Sequence, residues 1–206
     1  MRPQESQAIS VVKIGGGISA LPSALQRACT AVQAAAQIHR LLIVPGGGPF
    51  ADAVRDFQPR LGISDEAAHW MAILAMDQYA EVLADRIVGS VLLHQPGDIG
   101  TAVRPGRPGV LAPSRWMRSA DVLPHSWDVT SDSIAAFIAG ALDAERLILI
   151  KPSGEYNGVD SYFRTALPSN LPSWSLGADD IDQLEASLSA PIAAGGLESP
   201  GRCACE

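Results

Sequence analysis

Leu41-Leu42-Ile43-Val44-Pro45-Gly46-Gly47-Gly48-Pro49-Phe50-Ala51-Asp52 is the stretch around which this chain is organised. Its four leading aliphatic residues predict a short buried strand, which three consecutive glycines then end. Beyond Pro49 the apolar residues follow helical spacing as far as Phe57, so the glycines lie between a strand and a helix N-terminus. Backbone N–H groups at such a turn, together with the helix dipole, favour an anion such as phosphate. A mobile turn is the alternative explanation of the three glycines.

A second glycine-rich turn follows the first predicted strand. Residues 8–14 are largely apolar, and Gly15-Gly16-Gly17 precede a helix predicted over residues 21–38. Neither turn has the Gly-Lys-Ser/Thr ending of a Walker A loop, and neither has the spacing of a dinucleotide fingerprint. The two turns therefore indicate anion binding by backbone amides without matching either of these nucleotide motifs.

Only two of the 15 basic residues are lysines, Lys13 and Lys151. Both lie at the ends of predicted strands, over residues 8–14 and 146–151. A compact ammonium on a flexible stem can reach a phosphoryl oxygen as a point charge, whereas arginine presents a planar fork. The two positions therefore favour a role in phosphate chemistry, and chance placement of two surface cations is the alternative.

Hydrophobic periodicity predicts an alternation of strands and helices along the whole chain. Beyond the elements above, it predicts helices over residues 50–57 (ended by Pro59 and Gly62), 64–86, 134–142 and 179–188, strands over 88–93, 108–113 and 174–176, and loops around Gly97 and Gly100 and over 114–126. Such alternation predicts an α/β fold with a mostly parallel, doubly wound sheet and helices on both faces. We expect one domain over residues 1–190 and a flexible tail over 191–206.

Several polar residues are candidates for a site, each with a structural alternative. His69 and Trp70 could face a substrate, although a histidine beside a tryptophan is more often a packed helix residue. Arg115 and Arg118 could contact an anion or remain solvated surface charges. Thr130 or Ser131 is the predicted N-cap of the helix that continues over residues 134–142. Asp132 then falls in its first turn, where it could stabilise the helix dipole or pair with the lysines.

The composition excludes several classes of protein. An apolar fraction of 47% with 18% charged residues is typical of a globular core, and a net charge of -7 argues against nucleic-acid binding. No apolar run is long enough to span a membrane, and the first ten residues lack the apolar region of a secretory signal. Three cysteines make no disulfide framework, and Cys203 and Cys205 lack a second ligand pair for zinc. We therefore expect a cytoplasmic protein with no metal bound by its own side chains.

These segments together resemble the amino acid kinase family, which includes acetylglutamate, uridylate, carbamate and aspartate kinases. The resemblance is carried by Lys13-Ile14-Gly15-Gly16, Pro45-Gly46-Gly47-Gly48, Thr130-Ser131-Asp132 and the strand that ends at Lys151. Longer runs, over residues 50–55, 64–79 and 126–136, are similar to one branch of the family. That branch contains the kinase of methanofuran biosynthesis that converts an aminomethylfuran-methanol phosphate to its diphosphate. The resemblance covers roughly residues 10–165.

The resemblance implies a three-layer α/β/α sandwich, ATP as the phosphoryl donor with Mg²⁺, and a homo-oligomer assembled through helices. It implies that Lys13 and Lys151 stabilise the charge of the transition state while Asp132 orients them. The remaining implied contacts are with the nucleotide, through Gly15, Gly16, Gly17 and Lys151, and with the phosphorylated acceptor, through Gly46, Gly47, Gly48 and Asp128. We also expect His69, the histidine that could face a substrate, to contact the acceptor.

Three functions remain open on the sequence. The leading one is an ATP-dependent kinase that acts on a small phosphate monoester. The second is a catalytically silent relative that binds an anion or serves as a subunit of a biosynthetic complex, because Gly17 replaces the serine usual in relatives. Two further departures favour this second function. The turn after Lys151 lacks the Asp-containing sequence ending in Asp-Gly that many relatives carry, and the segment after Tyr162 is short. The third is a kinase that forms an acyl phosphate on a carboxylate.

Overall fold

A six-stranded sheet lies at the centre of the protein, whose computed structural model describes residues 8–152 and 158–191. Its strands are β1 (Ser10–Ile14), β2 (Leu41–Pro45), β3 (Val91–Leu93), β4 (Gly109–Leu111), β5 (Arg146–Lys151) and β6 (Ser173–Gly177). They lie in the order β3-β4-β2-β1-β5-β6, and every neighbouring pair is parallel. The central strands β1, β2 and β5 are buried along their whole length, which explains their nearly continuous aliphatic sequences.

Helices cover both faces of this sheet. They are α1 (Pro22–Ala35), α2 (Gly48–Leu61), α3 (Asp65–Arg86), α4 (Pro96–Ala102), α5 (Ser114–Ala120), α6 (Ser131–Ala141), α7 (Phe163–Ala166) and α8 (Leu184–Ser189), with 3-10 helices at Gly16–Ala20 and Ile181–Gln183. One apolar core lies between the sheet and helices α1 and α8, and a second lies between the opposite face and helices α4, α5 and α6. The three-layer α/β/α fold expected from the sequence is confirmed.

Strand parity places both lysines on the same face of the sheet. Side chains two residues apart on a strand point to the same side. Val11 belongs to the core beneath α6, so Lys13 also faces α6, and Leu147 and Leu149 in that same core place Lys151 there too. The N-terminal turn of α6 carries Asp132. The fold thus brings three residues that are far apart in the sequence to one edge of the sheet.

Two segments expected to be loops are helical. The segment with Gly97 and Gly100 forms α4, which is anchored by the fully buried Ile99 and by a hydrogen bond from the Arg40 guanidinium to the Gly100 carbonyl (2.9 Å). Residues 114–120 form α5, whose start is capped by Asp77 of α3. The Asp77 carboxylate accepts hydrogen bonds from the Ser114 backbone N–H (2.9 Å) and hydroxyl. Both helices depend on long-range contacts, which no local sequence window can reveal.

Several helix boundaries also differ from expectation. Helix α2 continues past Phe57 through Pro59 and ends at Gly62, which has a left-handed backbone (φ 65°). Pro59 removes one i→i−4 hydrogen bond but does not stop the helix, which continues for two more residues to Leu61. Helix α6 begins at Ser131 with Thr130 as its N-cap, which confirms one of the two predicted caps, although the apolar pattern placed the helix from residue 134. The N-cap predicted at Ser64 is confirmed, since its hydroxyl accepts a hydrogen bond from the Ala67 N–H (3.2 Å).

The remaining expectations concern the two ends of the chain and the membrane. The predicted last helix is divided into a 3-10 turn and α8. The tail expected to be flexible, residues 191–206 with Cys203 and Cys205, lies outside the described residues apart from Pro191. No described helix has the length and apolar character needed to cross a bilayer.

Candidate active site

Lys13, Lys151 and Asp132 form a buried triad at the C-terminal edge of strands β1 and β5. The Lys13 ammonium nitrogen lies 2.8 Å from Asp132 Oδ1, and the Lys151 nitrogen lies 2.6 Å from Oδ2. Lys151 also donates to the Gly158 carbonyl (2.5 Å). The three residues are only 5%, 5% and 4% exposed. One carboxylate therefore bridges two ammonium groups in a site that is largely shielded from water.

The triad carries an excess of positive charge. Burial lowers the pKa of Lys13, and the nearby Lys151 lowers it further, although Asp132 opposes both effects. Burial alone would raise the pKa of Asp132, but Lys13 and Lys151 outweigh it and hold that pKa below its usual range. Asp132 is thus ionised at neutral pH. With both lysines protonated, two ammonium groups against the Asp132 carboxylate would leave the triad positive enough to attract a phosphoryl group, and Asp160 adds a further negative charge near Lys13.

The two glycine turns pack directly against each other. A Cβ on Gly16 would lie 2.2 Å from the Gly48 nitrogen, and one on Gly46 would lie 2.2 Å from the Gly16 nitrogen. The Gly15 N–H donates to the Ile150 carbonyl and the Gly46 N–H to the Ile14 carbonyl, both at 2.8 Å. This packing does not fit the mobile-turn alternative. It also revises the expectation for Gly15 and Gly46, whose amides are already bonded within the fold and are not available to a phosphate.

A cavity of about 290 Å³ opens between the two turns, helices α2 and α3, and the start of α6. Among the residues that line it are Gly16, Gly17, Gly47, Gly48, Arg55, His69, Trp127, Thr130 and Ser131. Thr130 and Ser131 immediately precede Asp132, so the cavity lies next to the triad. The cavity thus includes five of the glycine and histidine positions expected to bind ligands.

His69 is both a packed residue and part of the cavity wall. It is 7% exposed, and its ring stacks on His125 (centroids 4.5 Å apart) with Trp70 edge-on (5.0 Å). Burial, with a contribution from His125, lowers the pKa of His69 to about 4, so the ring is neutral at pH 7. Arg118 lies over the Trp70 ring (4.4 Å). A neutral imidazole edge can therefore meet a ligand without adding charge to the site.

Comparison with known proteins decides the family, because the profile of the amino acid kinase family matches residues 8–110, half of the chain. The chain belongs to the amino acid kinase family. A relative from Methanocaldococcus jannaschii, named [5-(aminomethyl)furan-3-yl]methyl phosphate kinase, is 33% identical over 140 residues. That match covers 68% of this chain and 63% of the relative.

Solved structures show the amino acid kinase fold over nearly the whole protein. Uridylate kinase from Archaeoglobus fulgidus superposes with a TM-score of 0.65 at 13% identity, covering 94% of this chain and 100% of that one. UMP kinase from Bacillus anthracis also gives 0.65, at 11% identity, covering 87% and 92%. At such low identities the likeness shows the shared fold alone.

Asp128, Arg115 and Arg118 are site candidates outside the triad that do not line the cavity. Asp128 is exposed and accepts a hydrogen bond from the Ser161 hydroxyl (2.9 Å), so it joins two loops instead of facing the cavity. Arg118 packs on Trp70, and Arg115 is an exposed residue of α5. The expected substrate contact of Asp128 is therefore not supported by its position, and both arginines match their surface alternative.

Gly17, which replaces the serine expected from the family resemblance, has a local structural reason. A Cβ at this position would lie 2.8 Å from Cγ of Pro152, the residue that follows Lys151. Gly17, in the turn after β1, therefore leaves room for the Pro152 ring, which follows the end of β5. A serine at position 17 would require the Pro152 ring to shift.

Sequence reasoning missed three residues of the site. Arg55 and Trp127 line the cavity, where the Arg55 guanidinium carbon lies 4.6 Å from the centre of the Trp127 ring. Asp160 accepts hydrogen bonds from Thr130 and Ser133 at the start of α6. Arg55 falls in a run that carried the family resemblance, which was a usable signal. Asp160 is 30 residues from Thr130, and no local pattern links them.

The contact between the two turns makes a testable prediction about stability. We expect Gly16→Ala to lower the free energy of unfolding by about 1–3 kcal/mol, because the new methyl group would meet the Gly48 backbone and force the turns apart. Gly97→Ala is the matched control, since a Cβ there meets nothing within 4 Å and alanine favours the helix. Urea titration of both variants measures the difference. Equal stabilities would contradict the close packing of the turns.

Proposed function

We propose that this protein is an ATP-dependent kinase that transfers the γ-phosphoryl group to a small phosphate monoester. The observation that carries the proposal is the pair of buried ammonium groups bridged by Asp132 beside a cavity walled by glycine turns. Phosphoryl transfer requires positive charge around the moving group and exact positioning, with little covalent participation by the protein. Membership of a kinase family and the kinases among its relatives support a phosphotransferase.

The acceptor that we propose is [5-(aminomethyl)furan-3-yl]methyl phosphate, which would become the diphosphate in methanofuran-type cofactor biosynthesis. The name of the Methanocaldococcus jannaschii relative supports this choice. The cavity wall supports it as well, because Arg55 offers a cation for a phosphate and the rings of Trp127 and His69 offer edges and faces to a flat ring. Because His69 is neutral at pH 7, Arg55 is the cation among the lining residues. Asp52, which pairs with Arg55 at 3.6 Å, and Asp65 line the same cavity, so an acceptor phosphate would compete with Asp52 for the guanidinium.

Each residue of the site has a role in this proposal. Lys13 and Lys151 stabilise the negative charge of the transferring group, and Asp132 keeps both ammonium groups in place. Gly16 and Gly17 approach the nucleotide, while Gly47 and Gly48 approach the acceptor phosphate, since only glycine lets the backbone come this close.

Magnesium fits the site as an ion that arrives with ATP. Both carboxylate oxygens of Asp132 are paired with lysines, and no group of three metal-binding side chains occurs within residues 8–152 and 158–191. An ion held through nucleotide phosphates and water needs no such group, and it supplies further neutralisation of phosphate charge. A homo-oligomer in the cytoplasm, as expected from the sequence, completes the proposal.

A phosphoryl-transfer assay tests the function directly. With MgATP and the furan phosphate we expect ADP formation, a diphosphate signal in the ³¹P NMR spectrum, and a higher melting temperature on addition of MgATP. Acetate or glutamate with hydroxylamine serves as the control, since a hydroxamate forms only from an acyl phosphate. Hydroxamate without diphosphate would favour the carboxylate kinase, and no response to MgATP in either assay would favour the silent relative.

A further inference from the structure

Asp160 binds the first turn of α6 through four hydrogen bonds. Its carboxylate accepts from the Thr130 N–H (2.8 Å), the Thr130 hydroxyl (2.7 Å), the Ser133 N–H (3.1 Å) and the Ser133 hydroxyl. Amides at a helix start have no partner within the helix, so a carboxylate from another part of the chain can satisfy them. Asp160 therefore fixes the start of an 11-residue helix from outside it.

The residues held by Asp160 flank Asp132 on both sides. Thr130 and Ser133 are its near neighbours in the sequence, so the position of their backbone determines where the Asp132 carboxylate lies. Gly158, two residues before Asp160, accepts the second hydrogen bond of Lys151. The segment that contains Asp160 thus contacts the triad at two points, one through α6 and one through Lys151.

We propose that Asp160 is a positioning residue for phosphoryl transfer, which holds the first turn of α6 so that Asp132 bridges Lys13 and Lys151. The expected effect on kcat rests on the proposed kinase function. The expected effect on the position of Asp132 relative to the two lysines does not. Asp160 also contributes negative charge in the neighbourhood of Lys13, which raises the pKa of that ammonium. Loss of the Asp160 carboxylate therefore affects both the position and the protonation of the Lys13 ammonium.

A helix cap with no further role is the competing explanation, and the protein contains its own control. Asp77 caps α5 in the same way, through the N–H and hydroxyl of Ser114. Helix α5 carries no member of the triad. A comparison of Asp160→Asn with Asp77→Asn therefore separates the loss of a capping carboxylate from the loss of triad geometry.

Kinetics with the parent and both variants give the first test. Asparagine keeps the shape of Asp160 but offers one acceptor oxygen in place of two, so the turn of α6 loses part of its support. We expect Asp160→Asn to lower kcat roughly 10- to 100-fold while KM for ATP changes less than about threefold. Asp77→Asn is expected to leave kcat within about twofold. Equal kcat in the two variants would overturn the proposal while leaving the kinase function in place.

The two lysines allow a second test that needs no activity. Protein labelled with ¹³Cε-lysine gives two resonances, and Lys151→Arg assigns the one from Lys13. The charged groups that face Lys13 are Asp132 from α6, Lys151 from β5 and Asp160 from the segment after β5. In Asp160→Asn we expect the Lys13 midpoint to fall by roughly 0.5–1 pH unit, with no change in Asp77→Asn.

The two readouts distinguish failure of this inference from failure of the proposed function. An inactive parent protein would refute the kinase, and the lysine titration would still test the geometry. An unchanged Lys13 midpoint in Asp160→Asn would overturn the positioning role. Should Asp160→Asn fail to fold, Asp160→Glu keeps the charge with a longer side chain. We then expect a Lys13 midpoint near that of the parent with a lowered kcat, and a parental kcat would overturn the proposal.

Discussion

Lys13→Met is expected to lower kcat by roughly 10³-fold while the free energy of unfolding stays within about 1 kcal/mol of the parent. In the proposed mechanism the loss of activity follows because one of the two cations assigned to stabilise the transferring phosphoryl group is removed. We expect the stability to be maintained because burial and the neighbouring Lys151 both disfavour the Lys13 charge, so its removal relieves a cost that offsets the lost pairing with Asp132. After the substitution, Asp132 still pairs with Lys151 at 2.6 Å.

Arg146→Met is the matched control for the removal of a buried cation. Arg146 lies on β5 like Lys151 and is 3% exposed, but it holds α8 by donating to the carbonyls of Ser187 and Ala190. We expect a loss of about 1–3 kcal/mol of stability with an unchanged kcat in the folded protein. Steady-state kinetics and urea titration measure both quantities. A Lys13→Met variant that loses stability as Arg146→Met does, with kcat kept, would make Lys13 a structural residue.

Asp132→Asn is expected to destabilise the protein by about 3–5 kcal/mol and to abolish transfer. The asparagine amide can accept from one lysine only, so two buried ammonium groups remain with no carboxylate between them. Such uncompensated charge is costly in a site this shielded from water. The pKa of Lys13, already lowered by burial, should fall further because the opposing attraction of Asp132 is lost, and ¹³Cε-lysine NMR would detect that change.

A double variant tests whether charge is the cause. Lys13→Met in the Asp132→Asn background removes one of the two opposed cations, so we expect it to recover part of the lost stability, measured by urea titration. Activity should not return, because the transferring group still lacks its cation. Additive losses of stability in the double variant would contradict the electrostatic explanation. A single Asp132→Asn variant as stable as the parent would contradict it more directly.

The sequence contained enough information to predict that the two lysines lie on the same face of the sheet. Alternation along a strand places Lys13 with Val11 and Lys151 with Leu149, and α6 packs on that face. The rarity of lysine in the chain marked both residues, and the spacing at the start of α6 marked Asp132. The pairing of Asp132 with both ammonium groups required the tertiary structure, because spacing alone left a helix-dipole role equally open.

Other parts of the structure had no signal in the local sequence. Helices α4 and α5 were expected as loops, since the side chains that anchor or cap them, Arg40 and Asp77, come from distant elements. The glycine turns were expected to offer amides to phosphates. The structure shows that the amides of Gly15 and Gly46 are used by the sheet, while Gly16 and Gly48 form the contact between turns.

The sequence by itself determined the α/β alternation, the two strand–glycine–helix turns and the residue types of the triad, because periodicity and backbone freedom are local properties. Only the tertiary structure decided which amides remain free, which residues line the cavity, and that Asp160 closes the start of α6. Those features depend on contacts between segments far apart in the chain, such as residues 130 and 160. Their geometry is set by how the helices pack on the sheet, which local sequence patterns do not specify.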